Sequence, residues 1–217
     1  MTLNLKTSTA TIEHSIKLAS GTVIPSYDLR YETYGKLNQD KSNAVLICHA
    51  LSGNHHAAGK YDNEDKHGWW NNMIGPGKPI DTNSLYVVCL NNIGGCHGST
   101  GPNTKDEKTG KYFGMNFPIV TVSDWVNTQK SLMDYLRIPK WNFVIGGSLG
   151  GMQAMQWAFQ FPTLIDNCII IAAAPKLTAQ NIAFNEVARQ AIMKDPNWCG
   201  GDYLNQNKLP DKGLSLA

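Results

Sequence analysis

The chain has 217 residues, of which 42% are hydrophobic and 17% are charged, and its formal net charge is +2. This composition is ordinary for a single globular domain, and the absence of any run of lysines and arginines excludes the electrostatic signature of a protein that binds nucleic acid or anionic membranes. Since no apolar run approaches the roughly 18 residues of a transmembrane helix and the N-terminal segment lacks the apolar stretch of a signal peptide, we expect a cytoplasmic protein that acts on small molecules.

The first part of the chain predicts an antiparallel opening followed by two buried strands. Residues Ile12 to Thr33 alternate weakly between apolar and polar and carry turn residues, which predicts two or three antiparallel strands. Ala44 to Leu51 and Leu85 to Leu90 are continuous apolar runs, as in strands buried on both faces. Between them, Tyr61 to Pro79 predicts a long ordered loop or a short helix. A small, polar loop follows the first run, where open α/β sheets place their sites.

A second loop, Asn91 to Pro102, is rich in glycine and looks like a phosphate cradle. It matches neither G-x-x-x-x-G-K-[ST] nor G-x-G-x-x-G, so we reject both nucleotide-binding interpretations and expect a loop close to the site. Its Cys96-His97 pair has no second pair at ligand spacing, so no metal site is predicted. The odd number of cysteines, with at least three in apolar runs, indicates structural thiols in a reducing compartment. The five are Cys48, Cys89, Cys96, Cys168 and Cys199.

The second half of the chain predicts helices that alternate with strands. Val122 to Leu136 has the apolar spacing of an amphipathic helix, with Ser123 as its N-cap. Cys168 to Ala174 predicts a further buried strand, and Thr178 to Lys194 predicts a long helix ended by Asp195-Pro196. This alternation implies right-handed crossovers and a mainly parallel α/β sheet with helices on both faces.

The stretch Trp141 to Phe161 predicts a strand, a tight turn that carries Ser148, and a helix. Gly146 to Gly150 fits G-x-S-x-G, the nucleophile-elbow pattern, in which a strained turn holds the serine hydroxyl clear of the sheet. A side chain at Gly146 or Gly150 would collide with the adjoining strand or helix. The alternative is a glycine-rich turn with an incidental serine, but the flanking strand and helix favour the nucleophile.

The same stretch places an oxyanion hole but not a complete catalytic set. Two backbone N–H groups are the expected donors, that of Leu149 and one from the loop that begins near Leu51. A serine also needs a histidine base and a carboxylate, which follow the serine in the chain order of elbow enzymes. All six histidines precede Ser148, and we interpret His49 as a satisfied residue at a strand end. The six are His14, His49, His55, His56, His67 and His97.

Six segments together resemble the homoserine O-acyltransferases of methionine biosynthesis, and the match spans nearly the whole chain. A joint coincidence of these motifs is very improbable. The segments are His49 to Gly53, Gly68 to Trp70, Met73 to Lys78, Asn91 to Pro102, Gly147 to Gln153 and Asn181 to Val187.

The resemblance implies an α/β-hydrolase fold, with residues 1–175 in the core and residues 176–217 beginning a helical lid. It implies a homodimer, without a permanently bound cofactor, that moves an acyl group from acyl-CoA to the hydroxyl of L-homoserine through an acyl-enzyme. Ser148 corresponds to the nucleophile, and the backbones of Leu51 and Leu149 correspond to the oxyanion donors. The donor is acetyl-CoA or succinyl-CoA, and Asn181 to Ile192 is nearer to the succinyl type.

Members of this family continue beyond the position of Ala217, into a part that holds most of the lid, the catalytic aspartate and histidine, and an arginine for the substrate carboxylate. We therefore expect the C-terminal part of the fold to be missing and residues 1–217 alone to turn over poorly. Two alternatives to the acyltransferase stay open. The first is a serine esterase that uses the same elbow with water, and the second is a catalytically silent fragment that persists as a binding module.

Overall fold

The computed structural model describes residues 3–61 and 65–217, and the chain divides into two compact units. Unit 1 comprises residues 1–99 and 120–174, and unit 2 comprises residues 100–119 and 175–217. The sequence-based division into a core of residues 1–175 and a region of residues 176–217 stays a prediction. The interpretation of residues 176–217 as the start of a lid stays a prediction. Across the described ranges, no helix combines the length and the apolar character needed to cross a membrane.

Unit 1 is built on a six-stranded sheet with the strand order β1-β4-β8-β5-β9-β10. Strands β8, β5, β9 and β10 are parallel, whereas β4 pairs antiparallel with both β1 and β8. The predicted mainly parallel sheet with an antiparallel opening is thus confirmed. The described elements of unit 1 are β1 (Leu5–Ile12), β2 (Ile16–Lys17), β3 (Val23–Ile24), β4 (Tyr27–Tyr34), β5 (Ala44–Cys48), β6 (Ile74–Gly75), β7 (Ile80–Asp81), β8 (Tyr86–Leu90), α1 (Val122–Tyr135), β9 (Trp141–Gly147), α2 (Leu149–Gln160), a 3₁₀-helix (Pro162–Leu164) and β10 (Ile165–Ile171).

The two faces of the sheet are covered differently. Successive side chains of a strand point to opposite faces, and Cys48 on β5 contacts Gln129 of α1 while Val45 and Ile47 point the other way. Helices α1 and α2 pack against each other and against the sheet. On the opposite face, the core around β5 is completed by the connection between β5 and β8, through Ala57, Ala58, Ile74 and Ile80. In the described residues of unit 1, a chain connection covers this face of the sheet.

Two local predictions are corrected by the structure. Helix α1 is capped by Thr121, not Ser123, because the Thr121 side chain accepts from the N–H of Asp124 and the Asp124 carboxylate accepts from the N–H of Thr121 in a capping box. The strand predicted at Cys168 to Ala174 is β10, which begins earlier and is partly exposed because it lies at the edge of the sheet.

The segment Tyr61 to Pro79 takes one of the two forms predicted for it. Residues 62–64 lie outside the described residues, and residues 65–79 form turns and the short strand β6 without a helix. The main chain of Trp70 holds two of these turns, since its N–H donates to Ala57 and its carbonyl accepts from Met73. An ordered loop, the other form predicted for this segment, is therefore present in its described part.

Unit 2 is short and largely helical in its described residues. Thr178 caps α3 by accepting a hydrogen bond from the N–H of Asn181, and the predicted helix from Thr178 to Lys194 is confirmed. The Asp195 carboxylate accepts from the N–H of Gly213 at 2.8 Å, which joins the last helix to the end of α3. The elements are a 3₁₀-helix (Gly114–Asn116), α3 (Ala179–Met193), a second 3₁₀-helix (Pro196–Gly201) and α4 (Asp211–Leu216).

Candidate active site

Ser148 lies alone between the end of β9 and the first residue of α2, as the elbow pattern predicts. Its backbone has φ 54° and ψ −121°, a conformation that side-chain-bearing residues rarely adopt and that costs about 1–3 kcal/mol. The turn is held because the N–H of Ser148 donates to the carbonyl of Ile171 at 3.0 Å and its carbonyl accepts from Met152. The residue is exposed, and its side chain makes no capping bond to the helix. The hydroxyl is therefore presented to solvent by a strained and well-anchored turn.

The glycines beside Ser148 are required by close backbone contacts. A Cβ atom at Gly146 would lie 2.0 Å from the carbonyl oxygen of Gly150, and a Cβ atom at Gly150 would lie 2.0 Å from that of Cys48. Both distances are far below van der Waals contact, so β5, β9 and α2 meet at this point more closely than any side chain permits. The steric reason inferred from G-x-S-x-G is confirmed at both positions. A Cβ atom at Gly147 would meet only the Ile171 carbonyl, at 4.0 Å.

The two segments predicted to supply oxyanion donors lie at the same end of the sheet. Leu149 is the first residue of α2, so its N–H belongs to the helix terminus whose donors have no partner within the helix. Leu51 lies in the turn after β5, and the N–H of Gly53 donates to the carbonyl of Ala50 to close that turn. Because Gly150 packs on the end of β5, the turn that carries Leu51 starts beside the first turn of α2. The assignment of both N–H groups as oxyanion donors stays a prediction.

A buried polar cluster beneath the elbow was not found by sequence reasoning. The Gln153 side chain donates to the carbonyls of His49 (3.0 Å) and Leu149 (3.3 Å), and it accepts from Asn92 (3.1 Å) and Gln129 (2.7 Å). The Gln129 amide also donates to Asn92 at 2.9 Å. All of these side chains are buried. The cluster joins the ends of β5 and β8 to α1 and α2. The one sequence signal for it is that Gln153 lies within the motif Gly147 to Gln153.

His49, at the end of β5, is a satisfied structural residue, as the sequence analysis inferred. Its Nδ1 lies 2.8 Å from the carbonyl of Ala50, and its Nε2 accepts from the N–H of Asn92 at 3.3 Å. This pairing fits the neutral ring with the proton on Nδ1. Burial lowers the pKa of His49, which also favours the neutral form. Both ring nitrogens are occupied away from the serine.

A second buried cluster surrounds the Glu32 carboxylate on β4 and was likewise missed. Tyr34 and Tyr61 donate to its oxygens, and the Nδ1 of His56 lies 3.0 Å from Oε2. The His55 ring nitrogen Nε2 is 3.9 Å from Oε1. The cluster attaches the chain that leaves β5 to the neighbouring part of the sheet. Within the described part of the chain, no hydrogen bond joins the Ser148 hydroxyl to any of the six histidines.

The cysteines and acidic residues do not form a metal site in the residues that the structure describes, where no three His, Cys, Asp or Glu side chains are grouped to hold an ion. None of the five cysteines is in a disulfide. Cys48 and Cys89 are buried, and burial raises the pKa of both thiols, so they remain protonated and unreactive. Cys168 and Cys199 are partly buried, and Cys96 is exposed.

Comparison with known proteins places this geometry in a wider group. Residues 43–213 match the model of the alpha/beta hydrolase fold. The chain is 60% identical over 210 residues to the homoserine O-succinyltransferase of Pseudomonas syringae pv. tomato, covering 96% of this chain and 55% of that relative. The solved homoserine O-acetyltransferase from Bacillus anthracis superposes with a TM-score of 0.89 at 35% identity, covering 98% of this chain and 58% of that one. Esterase E22 gives a TM-score of 0.89 at 36% identity, covering 97% and 59%.

These matches confirm the resemblance to homoserine O-acyltransferases that the sequence motifs carried. The chain spans about half the length of the curated relatives it matches. The matches cover nearly the whole chain, and they therefore include the strand, elbow and helix that hold Ser148.

Proposed function

The chain belongs to the alpha/beta hydrolase fold family, and on that premise we propose that it carries the nucleophile and the oxyanion hole of a homoserine O-acyltransferase. The observation that supports this most directly is the exposed Ser148 with its strained backbone at the start of α2. The choice of reaction rests on relatives about 60% identical that are homoserine O-succinyltransferases. The proposal concerns the activity to which these residues contribute.

The proposed reaction has two steps. The Ser148 oxygen attacks the thioester carbonyl of acyl-CoA, the carbon–sulfur bond breaks, and CoA leaves with the proton that the serine gave up. The homoserine hydroxyl then attacks the acyl-enzyme, and its proton returns to Ser148 as the ester product departs. In both steps the carbonyl oxygen becomes negative, and we propose that the N–H groups of Leu149 and Leu51 donate to it. Each such donor is typically worth about 10² to 10³ in rate.

We propose succinyl-CoA as the acyl donor and acetyl-CoA as the competitor. The supporting observation is that the relatives near 60% identity are succinyltransferases, whereas the acetyltransferase structure is only 35% identical. The ratio of kcat/KM for the two CoA esters tests this choice. A higher value for acetyl-CoA would reverse it.

The base that activates Ser148 is proposed to lie outside the 217 residues, because all six histidines precede the serine and none in the described part bonds to its hydroxyl. Without a base, serine enzymes keep only about 10³ to 10⁴ of their acceleration over water. We therefore expect residues 1–217 alone to turn over slowly. We further propose, on the family's pattern, a homodimer that uses acyl-CoA as co-substrate without a permanently bound cofactor.

The decisive experiment uses protein that includes the proposed base, measures CoA release from succinyl-CoA with and without L-homoserine, and pairs this with mass spectrometry of the peptide that contains Ser148. Homoserine-dependent release together with an acyl adduct on that peptide supports the proposal, and Ser148→Ala should abolish both. Release that does not need homoserine would identify a hydrolase, which the likeness to esterase E22 makes the second candidate. A homoserine-dependent rate that survives Ser148→Ala would refute the acyl-enzyme.

A further inference from the structure

We propose that Gln153 is a positioning residue that sets the distance between the two halves of the oxyanion hole. The inference rests on the proposed function, because it assigns a role to a side chain beneath the same site. Gln153 lies on α2, one helical turn after Leu149. Its amide is fully buried and does not reach the solvent side on which Ser148 is presented. It therefore acts through the backbone and does not touch the substrate.

The hydrogen bonds of Gln153 join the two backbone segments that carry the donors. One N–H of its amide donates to the carbonyl of His49, two residues before Leu51, at 3.0 Å. The same nitrogen donates to the carbonyl of Leu149, the residue next to Ser148, at 3.3 Å. A single planar group thus bonds to both segments and fixes their separation.

The amide of Gln153 is itself held in one orientation. Its oxygen accepts from Asn92 at 3.1 Å and from Gln129 at 2.7 Å, so both donors and both acceptor sites of the amide are used. Gln129 is fixed in turn by the Trp157 indole, which donates to its oxygen at 2.6 Å. If the Gln153 amide were rotated by 180°, its oxygen would face the two carbonyl oxygens and its nitrogen would face the two amide donors. The cluster therefore permits one arrangement, and the arrangement orients both segments at once.

Positioning of this kind matters because oxyanion donors act by geometry. Donors fixed before the reaction stabilise the developing charge, whereas donors that must move lose much of that effect. A displacement of about 1 Å can cost about 10² in rate. Other contacts between the two segments, such as the packing of Gly150 on Cys48, exclude side chains but do not set a hydrogen-bond distance. Gln153 does.

The test compares Gln153→Met, which keeps the length and volume of the side chain but removes its hydrogen bonds, with the matched control Gln160→Met on the same helix. Gln160 bonds to Asn127 of α1 at 3.2 Å and contacts neither donor segment. A fluorophosphonate probe reports on the site. The Ser148 oxygen displaces fluoride from phosphorus, and hydrogen fluoride is released. The phosphoryl oxygen of the probe needs the same two N–H donors as the carbonyl oxygen of the substrate. The rate of adduct formation at Ser148 is followed by intact mass, in protein that includes the base proposed above to lie outside the 217 residues and well below the melting temperature of each variant.

We expect Gln153→Met to lower the rate constant of phosphonylation by about 10² and Gln160→Met to change it less than threefold. In the transfer assay, Gln153→Met should lower kcat and leave KM for homoserine within about threefold, because the donors act on the charge that develops in the transition state. A purely structural role would lower the melting temperature and leave both rates of the folded protein unchanged. That result overturns the proposal.

If Gln153→Met does not fold, Gln129→Met provides the test, since it removes one donor that orients the Gln153 amide and leaves Gln153 in place. We expect a loss of about tenfold, and an unchanged rate of phosphonylation would overturn the proposal. Another outcome is that the unsubstituted protein shows no homoserine-dependent transfer but normal phosphonylation, and that Gln153→Met lowers that phosphonylation. This combination would reject the proposed reaction and retain the role of Gln153. If the unsubstituted protein forms no Ser148 adduct, both are rejected.

Discussion

Strands β5 and β10 are the two parallel neighbours of β9, the strand that leads into the elbow, and they differ in how completely they are packed. All five residues of β5 are buried, because β5 lies between β8 and β9 and has side chains packed on both of its faces. Strand β10 pairs only with β9, and Ile169, Ile170 and Ile171 are each about 40% exposed. The elbow therefore has one fully packed flank and one open flank.

The difference shows which flank determines the site. On the β5 side, Gly150 touches the Cys48 carbonyl and the Gln153 amide bonds to His49. On the β10 side, the N–H of Ser148 donates to the Ile171 carbonyl, a Cβ atom at Gly151 would lie 2.6 Å from the Cβ atom of Ala173, and a Cβ atom at Gly147 would have room. The closest backbone contacts are on the β5 side, and they include the bond of Gln153 to the segment that leads to a predicted oxyanion donor.

The open flank also includes an apolar groove of about 260 Å³. It is lined by Phe143 and Ile145 of β9, by Ile169 and Ile171 of β10, and by Trp70 from the connection that covers this face of the sheet. Apolar surface of this kind still has free energy to gain from being covered, at about 25 cal/mol per Å². The packed flank has already gained it.

The sharpest test of the comparison substitutes glycines on the two sides of the elbow. Gly150→Ala should destabilise the protein by more than about 3 kcal/mol, because the new Cβ atom meets the Cys48 carbonyl and only a backbone shift can relieve the clash. Gly147→Ala, three residues away, should cost less than about 1 kcal/mol. Chemical denaturation measures both. Equal costs would show that the two flanks are equally tight and would contradict the comparison.

A smaller loss of stability is expected from shortening an isoleucine, and it should be larger at a buried position than at an exposed one. Ile47→Val on β5 should cost about 1 kcal/mol, since it removes one methylene from a fully buried site, whereas Ile170→Val on β10 should cost a few tenths at most. The two substitutions are chemically identical, so the difference in the denaturation midpoint reports packing alone. If Ile170→Val is the more costly, then β10 is covered in solution by something that packs as closely as a core.

The smallest effect is a pH dependence that arises beside the packed flank. Burial lowers the pKa of His55 from its ordinary 6.5 to about 4, against the opposing effect of the nearby Glu32 carboxylate. Between these two values the unfolded chain binds a proton that the folded chain does not, so stability is fully present above pH 6.5 and falls as the pH drops toward 4. Arg30, His56 and His97 reinforce the lowering.

The measurement is the melting temperature between pH 7 and pH 5.5. His55→Gln should reduce the decrease across this range by about 2 to 4 °C, as expected for the loss of most of one linked proton in a chain of this size. Part of the decrease will persist, because burial also lowers the pKa of His49. A His55→Gln variant with an unchanged decrease would show that His55 titrates normally in the folded protein.

The sequence predicted those features that depend on local pattern. Continuous apolar runs located β5 and β8. The pattern G-x-S-x-G located the elbow, because its glycines are required by close contacts within a few residues and with one neighbouring strand. Apolar character alone placed the last strand about three residues late and called it buried. Whether a strand is an edge depends on pairing across the whole sheet, which no single run encodes.

The polar clusters could not be predicted for a related reason. Gln129 and Gln153 are 24 residues apart and each looks like an ordinary helix former, yet they bond at 2.7 Å in the folded chain. Glu32 stands in an alternating strand, where an exposed carboxylate is the usual expectation, and only the fold brings Tyr61 and His56 to it. Charge and amide content indicate solvent contact by default, so a buried amide or carboxylate is recognised only from its partners.

The backbone of Ser148 gives this chain a built-in conflict between durability and chemistry. A glycine at this position would adopt φ 54° without strain, so the substitution that most readily relieves the turn also deletes the proposed nucleophile. Selection for stability alone would favour glycine at position 148, whereas selection for reactivity keeps the serine together with the free energy cost of its backbone conformation. The tightly packed β5 flank can be understood as the compensation that lets one unfavourable residue persist.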